Sequence, residues 1–76
     1  MKYLTELKKD QTAEISKIEG GSSVHRKMEL LGVRPGLKIK RENSNTLHGP
    51  VVISVGQSFN HVAIGYGMAQ KIMVKI

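Results

Sequence analysis

The sequence predicts a mainly β protein, a small closed barrel of five short strands with one α-helix inserted after the first strand. Short apolar segments with a period of two recur along the chain and are separated by turn residues. Only residues 22–31 carry apolar side chains at helical spacing. The 76 residues suffice for one domain, 1–76, and closing the sheet would remove edges that so small a sheet cannot otherwise protect.

The first strand is predicted over residues 12–19. Ile15 and Ile18 are out of phase for a regular strand, so we expect a bulge between them that returns Ile18 to the core side. Before this strand, Leu4 and Leu7 flank a polar segment that can form one helical turn. We expect these two leucines to cover an open end of the core.

Residues 22–31 are predicted to form the helix. Either Ser22 or Ser23 can act as N-cap, because its hydroxyl oxygen can accept a hydrogen bond from a free N–H group of the first turn. Apolar residues recur at the spacing that places them on one face of a helix. We expect that face to pack on the barrel through Val24, Met28 and Leu31.

A helix stop and a tight turn follow directly. Gly32 can adopt the left-handed conformation that ends a helix, which would place Val33 against Met28. Pro35 and Gly36 suit the two central positions of a type II turn, since proline fixes φ and glycine accepts a positive φ. These residues predict a sharp change of direction into the second strand.

The other strands are predicted from alternating or β-branched segments, at residues 37–42, 51–55, 59–64 and 72–76. Two irregular segments separate them. Residues 43–49 are polar apart from Leu47 and form the connection of a long hairpin, and Gly65–Gly67 interrupts the chain before a single 3₁₀ turn.

The charge distribution argues for a solvated basic surface. The net charge of +6 raises the hypothesis of a nucleic-acid or anionic-membrane partner. However, residues 1–42 contain both basic and acidic residues, and the only charged residues within 43–76 are Lys71 and Lys75. Three aromatic residues are too few for the usual base-stacking platform. A small basic barrel that binds nucleic acid remains an alternative.

No pattern of catalytic or cofactor-binding residues is present, so we expect neither an enzyme nor a cofactor. The chain has no cysteine, and His25, His48 and His61 lie far apart without close second ligands, so we expect no metal site. We also expect neither a signal peptide nor a membrane-inserted segment, because no apolar stretch is long enough.

The chain resembles the ferrous iron transport protein A family (FeoA-like domains) over nearly its whole length. The most specific likeness is the LGVRPG segment at residues 31–36, set between a short helix and an alternating strand. The opening Leu4-x-x-Leu7-Lys8 also matches the family pattern. So does the spacing of Ala69, Ile72 and Val74 near the end of the sequence. The chain departs from the family pattern at Lys9-Asp10, at Gly65 and in the 47–50 loop.

The resemblance implies an SH3-like barrel and a small cytoplasmic accessory protein of bacterial ferrous iron uptake. It implies a protein-interaction module that acts on the cytosolic GTPase domain of the membrane ferrous iron transporter. From the charge distribution and the few aromatic residues, we expect no nucleic acid as partner. The same domain resembles the C-terminal module of iron-dependent repressors, so a regulatory module is a further alternative.

An interaction module should expose apolar residues beside charges. The residues expected to contact the partner are Arg26, Arg34, Leu47, His48, Tyr66 and Met68. The alternative is a structural role, in which Leu47 covers the barrel mouth and Tyr66 and Met68 belong to the core.

Overall fold

The computed structural model describes residues 2–44, 48–56 and 60–76. Its strands are β1 (Lys2–Tyr3), β2 (Thr12–Ile18), β3 (Lys38–Arg41), β4 (Val51–Val55), β5 (His61–Ile64) and β6 (Ile72–Lys75). Helix α1 spans Ser22–Leu30, a short helix α2 spans Tyr66–Ala69, and a 3₁₀ turn spans Leu4–Glu6.

The strands form one antiparallel six-stranded sheet in the order β1-β6-β2-β3-β4-β5, which confirms a mainly β fold with a helix after the first long strand. The sequence predicted five strands, and the additional one is β1. It contains two residues and is too short to show a periodic pattern. No pairing among the described residues joins β1 to β5, so the sheet is not strictly closed.

The predicted bulge lies in β2. Ile15 pairs with Val74 of β6, whereas Lys17 pairs with Met73, so the register shifts between Ile15 and Lys17. The extra residue turns the strand so that both Ile15 and Ile18 are buried, as the sequence predicts.

The start of α1 differs from the prediction. Gly21 is the N-cap, with an extended backbone (φ −81°, ψ −174°), and no side chain caps the helix. Ser22 and Ser23 are already helical, so the predicted serine cap is wrong. A residue inside the first turn no longer has the extended backbone that points its side chain at the free N–H groups.

The end of α1 follows the predicted geometry. Gly32 has φ 78°, and its N–H donates to the carbonyl of Glu29 at 3.0 Å. The N–H of Val33 donates to the carbonyl of Met28 at 2.8 Å, so the two bonds form a Schellman motif. Val33 and Met28 are both buried.

The expected apolar face of α1 is correct at Val24 and Met28, which are buried, and wrong at Leu31, which is 38% exposed. Leu31 is the C-cap residue, and the chain reverses immediately after it. Val33 is 1% exposed after this reversal, and it completes the apolar face of the helix in place of Leu31.

The turn after α1 is fixed to β2. The N–H of Leu37 donates to the carbonyl of Arg34 at 3.4 Å, and Gly36 has φ 90°, as a type II turn requires. The N–H of Gly36 donates to the carbonyl of Ile15 at 2.7 Å, and the N–H of Ile15 donates to the carbonyl of Leu37 at 2.9 Å. The turn therefore extends the β2–β3 pairing to the residues that precede β3.

One apolar cluster fills the fold. It includes Leu4 and Leu7, which are buried as the sequence predicts. The other buried members are Ala13, Ile15, Ile18, Val24, Met28, Val33, Ile39, Val51, Ile53, Ile64, Ala69, Ile72 and Val74. Ile76 continues the alternation of the last strand but is 66% exposed, because it lies beyond the final strand pairing.

A second tight turn precedes β2. The N–H of Gln11 donates to the carbonyl of Lys8 at 3.0 Å, and Asp10 adopts φ 68°. The N–H of Asp10 also donates to the carbonyl of Arg41 at 2.6 Å, which holds the turn against β3. The turn thus forms although a residue with a side chain occupies its left-handed position.

The first prediction concerns Gly32. A Cβ there meets no atom within 4 Å, so Gly32→Ala introduces only the strain of a positive φ, and we expect a loss of about 1 kcal/mol in the free energy of unfolding. Gly67→Ala is the matched control, since its Cβ also has free space and Gly67 lies in a helix without a positive φ. Urea unfolding should show the control to be neutral or stabilised. Equal effects in the two variants would contradict the argument.

The second prediction concerns alkaline pH. The hydroxyl of Tyr3 donates to Oε1 of Glu19 at 2.7 Å, and this bond to a carboxylate raises the pKa of the Tyr3 phenol above its ordinary value. The folded state therefore favours the neutral phenol. Its stabilising contribution is present below the phenol pKa of the unfolded chain and is lost as the pH rises through the higher folded pKa.

Ultraviolet titration of tyrosinate tests this in a Tyr66→Phe background, where Tyr3 is the remaining tyrosine. Adding Glu19→Gln should lower the pKa of Tyr3, because the substitution removes the negative charge beside the phenol. An unchanged titration midpoint would show that the bond to Glu19 does not control this pKa.

Candidate interaction surface

The end of α1 exposes an apolar patch beside positive charge. Leu30 is 78% exposed and Leu31 is 38% exposed. Arg34 is also exposed and begins the type II turn that follows the helix. We call Leu30, Leu31 and Arg34 the helix-end patch. Because Val33 already completes the buried face of the helix, these two leucines have no role in the core.

Two shallow grooves lie beside α1, and the first of them includes Arg34 of this patch. One, of about 300 Å³, is lined by Glu29, Gly32, Arg34 and Leu37. The other, of about 600 Å³, runs along the exposed side of α1 and is lined by Ser22, Ser23, His25, Arg26 and Glu29. Glu29 lines both grooves, and each groove also contains one of the two arginines. The arginines can contact a partner that carries carboxylates, and the exposed leucines of the patch can exclude water from such a contact.

A second group of predicted residues meets at the start of α2. The rings of His48 and Tyr66 are stacked, with centroids 4.5 Å apart and planes inclined by 21°. His48 is exposed and has a positive φ of 51°, while Tyr66 is half-buried as the first residue of α2. The stack joins the loop before β4 to α2, and we call it the aromatic pair. Stacking of this kind fixes the orientation of the two rings relative to each other.

The other predicted contact residues have different surroundings. Met68 is half-buried and packs against the core. Its side chain therefore has, in part, the structural role that the sequence analysis gave as the alternative to partner contact. Leu47 lies outside the described residues. The expected 3₁₀ turn after the Gly65–Gly67 break is wrong, because a four-residue α-helix, α2, begins one residue after Gly65 and includes Gly67. The structure thus brings His48 and Tyr66 together and places Arg26 and Arg34 in neighbouring grooves.

Sequence reasoning missed Arg41. Its side chain is 3% exposed, and it is the one buried charged residue among those the structure describes. Nη1 donates to the carbonyl of Leu7 at 2.8 Å and to that of Thr5 at 3.3 Å, and Nε donates to Oδ1 of Asn43 at 3.4 Å. Nη2 has no hydrogen-bond partner in the described part of the chain.

Burial away from water lowers the pKa of the Arg41 guanidinium, and no salt bridge to Arg41 is found among the described residues. Its neutral partners are carbonyl and amide oxygens, so Arg41 holds the 3₁₀ turn and the following residues against β3. The alternation of β3 contained the signal, because Arg41 is in phase with the inward-facing Ile39.

The histidines do not converge on a metal site. His25 and His61 are exposed, and His61 lies on the edge strand β5. Within residues 2–44, 48–56 and 60–76, no three side chains of His, Cys, Asp or Glu are grouped to hold a metal ion. Also within these ranges, no helix combines the length and apolar character needed to cross a bilayer.

Comparisons with known proteins agree with the fold and extend over nearly the whole chain. The FeoA domain model matches residues 2–76. A protein of Methanocaldococcus jannaschii with the provisional name Fe(2+) transport protein A is 36% identical over 69 residues, which are 90% of this chain and 78% of that protein.

Solved structures show the same architecture. A crystal structure of an iron uptake regulatory protein (FeoA) has a TM-score of 0.84 at 32% identity, covering 97% of this chain and 93% of that one. IdeR of T. acidophilum has a TM-score of 0.82 at 29% identity, but the match covers 97% of this chain and only 33% of IdeR. The likeness to IdeR is thus confined to one part of a longer protein, whereas the likeness to FeoA spans both chains. This chain belongs to the FeoA domain family.

Proposed function

We propose that this chain is a cytoplasmic accessory protein of ferrous iron uptake, a protein-interaction module that acts on the cytosolic GTPase domain of a membrane ferrous iron transporter. Membership of the FeoA domain family and the iron-transport name of the M. jannaschii relative support the iron-uptake part of this proposal. The helix-end patch is the observation that supports an interaction role, because it exposes leucines that the core does not need.

The charges beside the patch favour an acidic partner. The chain has a net charge of +6, and Arg34 and Arg26 each line one of the two grooves beside α1. Positive charge steers an acidic surface during encounter, while desolvation of the leucines supplies affinity. We propose that the aromatic pair, with Leu47 and Met68, forms a further part of the contact surface.

The described aromatic residues do not favour nucleic acid as the partner. The hydroxyl of Tyr3 is bonded to Glu19, and the ring of Tyr66 is stacked on His48. Both rings are half-buried, which reduces the ring area available to a nucleobase, and single-stranded nucleic acid depends on such stacking for much of its affinity. The proposal therefore assigns this chain no nucleic-acid partner.

The third prediction tests the helix-end patch. Leu30→Asp and Arg34→Glu, made separately, should each weaken binding to the transporter's cytosolic GTPase domain by about tenfold, as expected for a contact residue worth more than about 1 kcal/mol. Ile76→Asp is the matched control, since Ile76 is also an exposed aliphatic residue. Isothermal titration measures the affinities, and circular dichroism confirms that each variant is folded.

Two results would contradict this proposal in different ways. A wild-type chain that does not bind the GTPase domain would remove that domain as the partner. Normal binding by both Leu30→Asp and Arg34→Glu would keep the partner but exclude the helix-end patch, and His48→Ala would then test the aromatic pair.

The fourth prediction concerns iron itself, which the proposal treats as the transporter's cargo. We expect no tight, stoichiometric binding of Fe(II) or Zn(II) by the isolated chain, because a stable site needs several converging ligands. Anaerobic titration calorimetry measures this directly. One sub-micromolar site, abolished by substituting His25, His48 or His61 with alanine, would refute the prediction.

A further inference from the structure

Strand β5 lies at an edge of the sheet. It pairs with β4 on one side, through Val51 with Ile64 at one end and Ser54 with His61 at the other. No strand among the described residues pairs with its other side. An unpaired edge presents N–H and C=O groups that can bond to another strand.

The hydrogen bonds of β4 show which residues of β5 face this open side. The carbonyl of Val52 accepts from the N–H of Glu42 at 2.8 Å, and the N–H of Val52 donates to Oδ1 of Asn43 at 2.9 Å. The backbone of Val52 is therefore turned toward β3. Because successive residues of a strand turn to opposite sides, Val51, Ile53 and Val55 face β5.

A bond at the end of the hairpin agrees with this assignment, since the N–H of Val55 donates to the carbonyl of Asn60 at 3.4 Å. Val62 and Ile64, paired with Ile53 and Val51, consequently direct their backbone groups toward β4. The N–H and C=O groups of His61 and Ala63 point the other way, toward the open edge. The side chains of both residues are exposed.

This edge lacks the charged residues that usually protect exposed strands from pairing. Residues 43–70 contain no Lys, Arg, Asp or Glu, although the chain as a whole has 18 of them (12 basic and 6 acidic). A lysine or a proline in β5 would be the common protective device, and neither occurs there. The strand is therefore both unpaired and uncharged.

We propose that β5 is a self-association edge, through which two copies of this chain pair as antiparallel strands about a two-fold axis at Val62. In this register, His61 of each copy lies opposite Ala63 of the other, and each such pair exchanges two backbone hydrogen bonds. All of the outward-facing N–H and C=O groups of His61 and Ala63 are then satisfied. The two sheets join into one continuous sheet.

A second copy is favoured over an acidic partner by the charges. Two chains of net charge +6 repel wherever their basic surfaces approach, and the uncharged segment 43–70 is where they meet with least repulsion. An acidic chain would gain more from the basic surfaces elsewhere. The symmetric register also places each His61 opposite a small alanine instead of opposite the other His61.

The contact involves one short strand from each copy, so we expect weak and concentration-dependent association. Sedimentation equilibrium on the full chain should show the average mass rising from 8.4 kDa toward twice that value with concentration. Added salt should strengthen the association, because it screens the repulsion between the two positive chains. The inference does not rest on the proposed function, and Leu30→Asp should leave the association unchanged.

Ala63→Lys tests the edge directly. Its side chain is exposed, so the fold should tolerate lysine, and two added charges close to the axis should raise the dissociation constant at least about tenfold. Ser23→Lys adds the same charge at an exposed position of α1 and should have little effect. In the wild type, amide exchange at His61 and Ala63 should slow as the protein concentration rises.

A monomeric mass at every concentration would overturn the proposal. So would a dimer that Ala63→Lys leaves intact while the His61 and Ala63 amides exchange freely, since the contact would then lie elsewhere. Protection of these two amides only after addition of the GTPase domain would assign the edge to that partner and would also overturn the pairing of copies.

Discussion

The backbone of Ile15 is the point on which the rest of the structure depends. On one side it is paired with Val74 of β6, and on the other its N–H and C=O bond to Leu37 and Gly36 of the type II turn. Its side chain is completely buried. A residue fixed on both edges cannot shift its register, so the strand takes up its extra residue immediately afterward, between Ile15 and Lys17.

This constraint also determines the position of the helix-end patch. The type II turn bonds to β2 at one end of the loop, and the Schellman motif reverses the chain at the other, so few residues remain to adjust between them. Val33 is drawn into the core by this short connection, which leaves Leu31 outside. The exposure of Leu31 is thus a consequence of where the helix must end, and it creates an apolar surface beside backbone that is held by hydrogen bonds.

Sequence patterns predicted the features that depend on neighbouring residues. The phase break between Ile15 and Ile18 indicated the bulge, and the Gly32 and Pro35-Gly36 signals gave the helix end and the turn. Features set by distant contacts were missed. Helical spacing alone could not show that Val33 takes the buried position expected for Leu31. Alternation alone could not show that Arg41 donates to the carbonyls of Thr5 and Leu7, which lie 36 and 34 residues away in the sequence. For the candidate site, the sequence identified His48 and Tyr66 separately, but their contact depends on the tertiary fold.

The division of charge along the chain follows from the same architecture. Residues up to Glu42 carry all the acidic residues and most of the basic ones, and they form the helix, its grooves and the strands around β2. The uncharged residues 43–70 include β4 and β5, which lie at the end of the strand order away from β1 and β6. Electrostatic steering acts at a distance and needs the charged side, whereas strand pairing needs contact and is weakened by charge. The two proposed surfaces of this small sheet therefore differ in the interaction that would attract a partner: electrostatic attraction around α1, and backbone hydrogen bonding at the edge of β5.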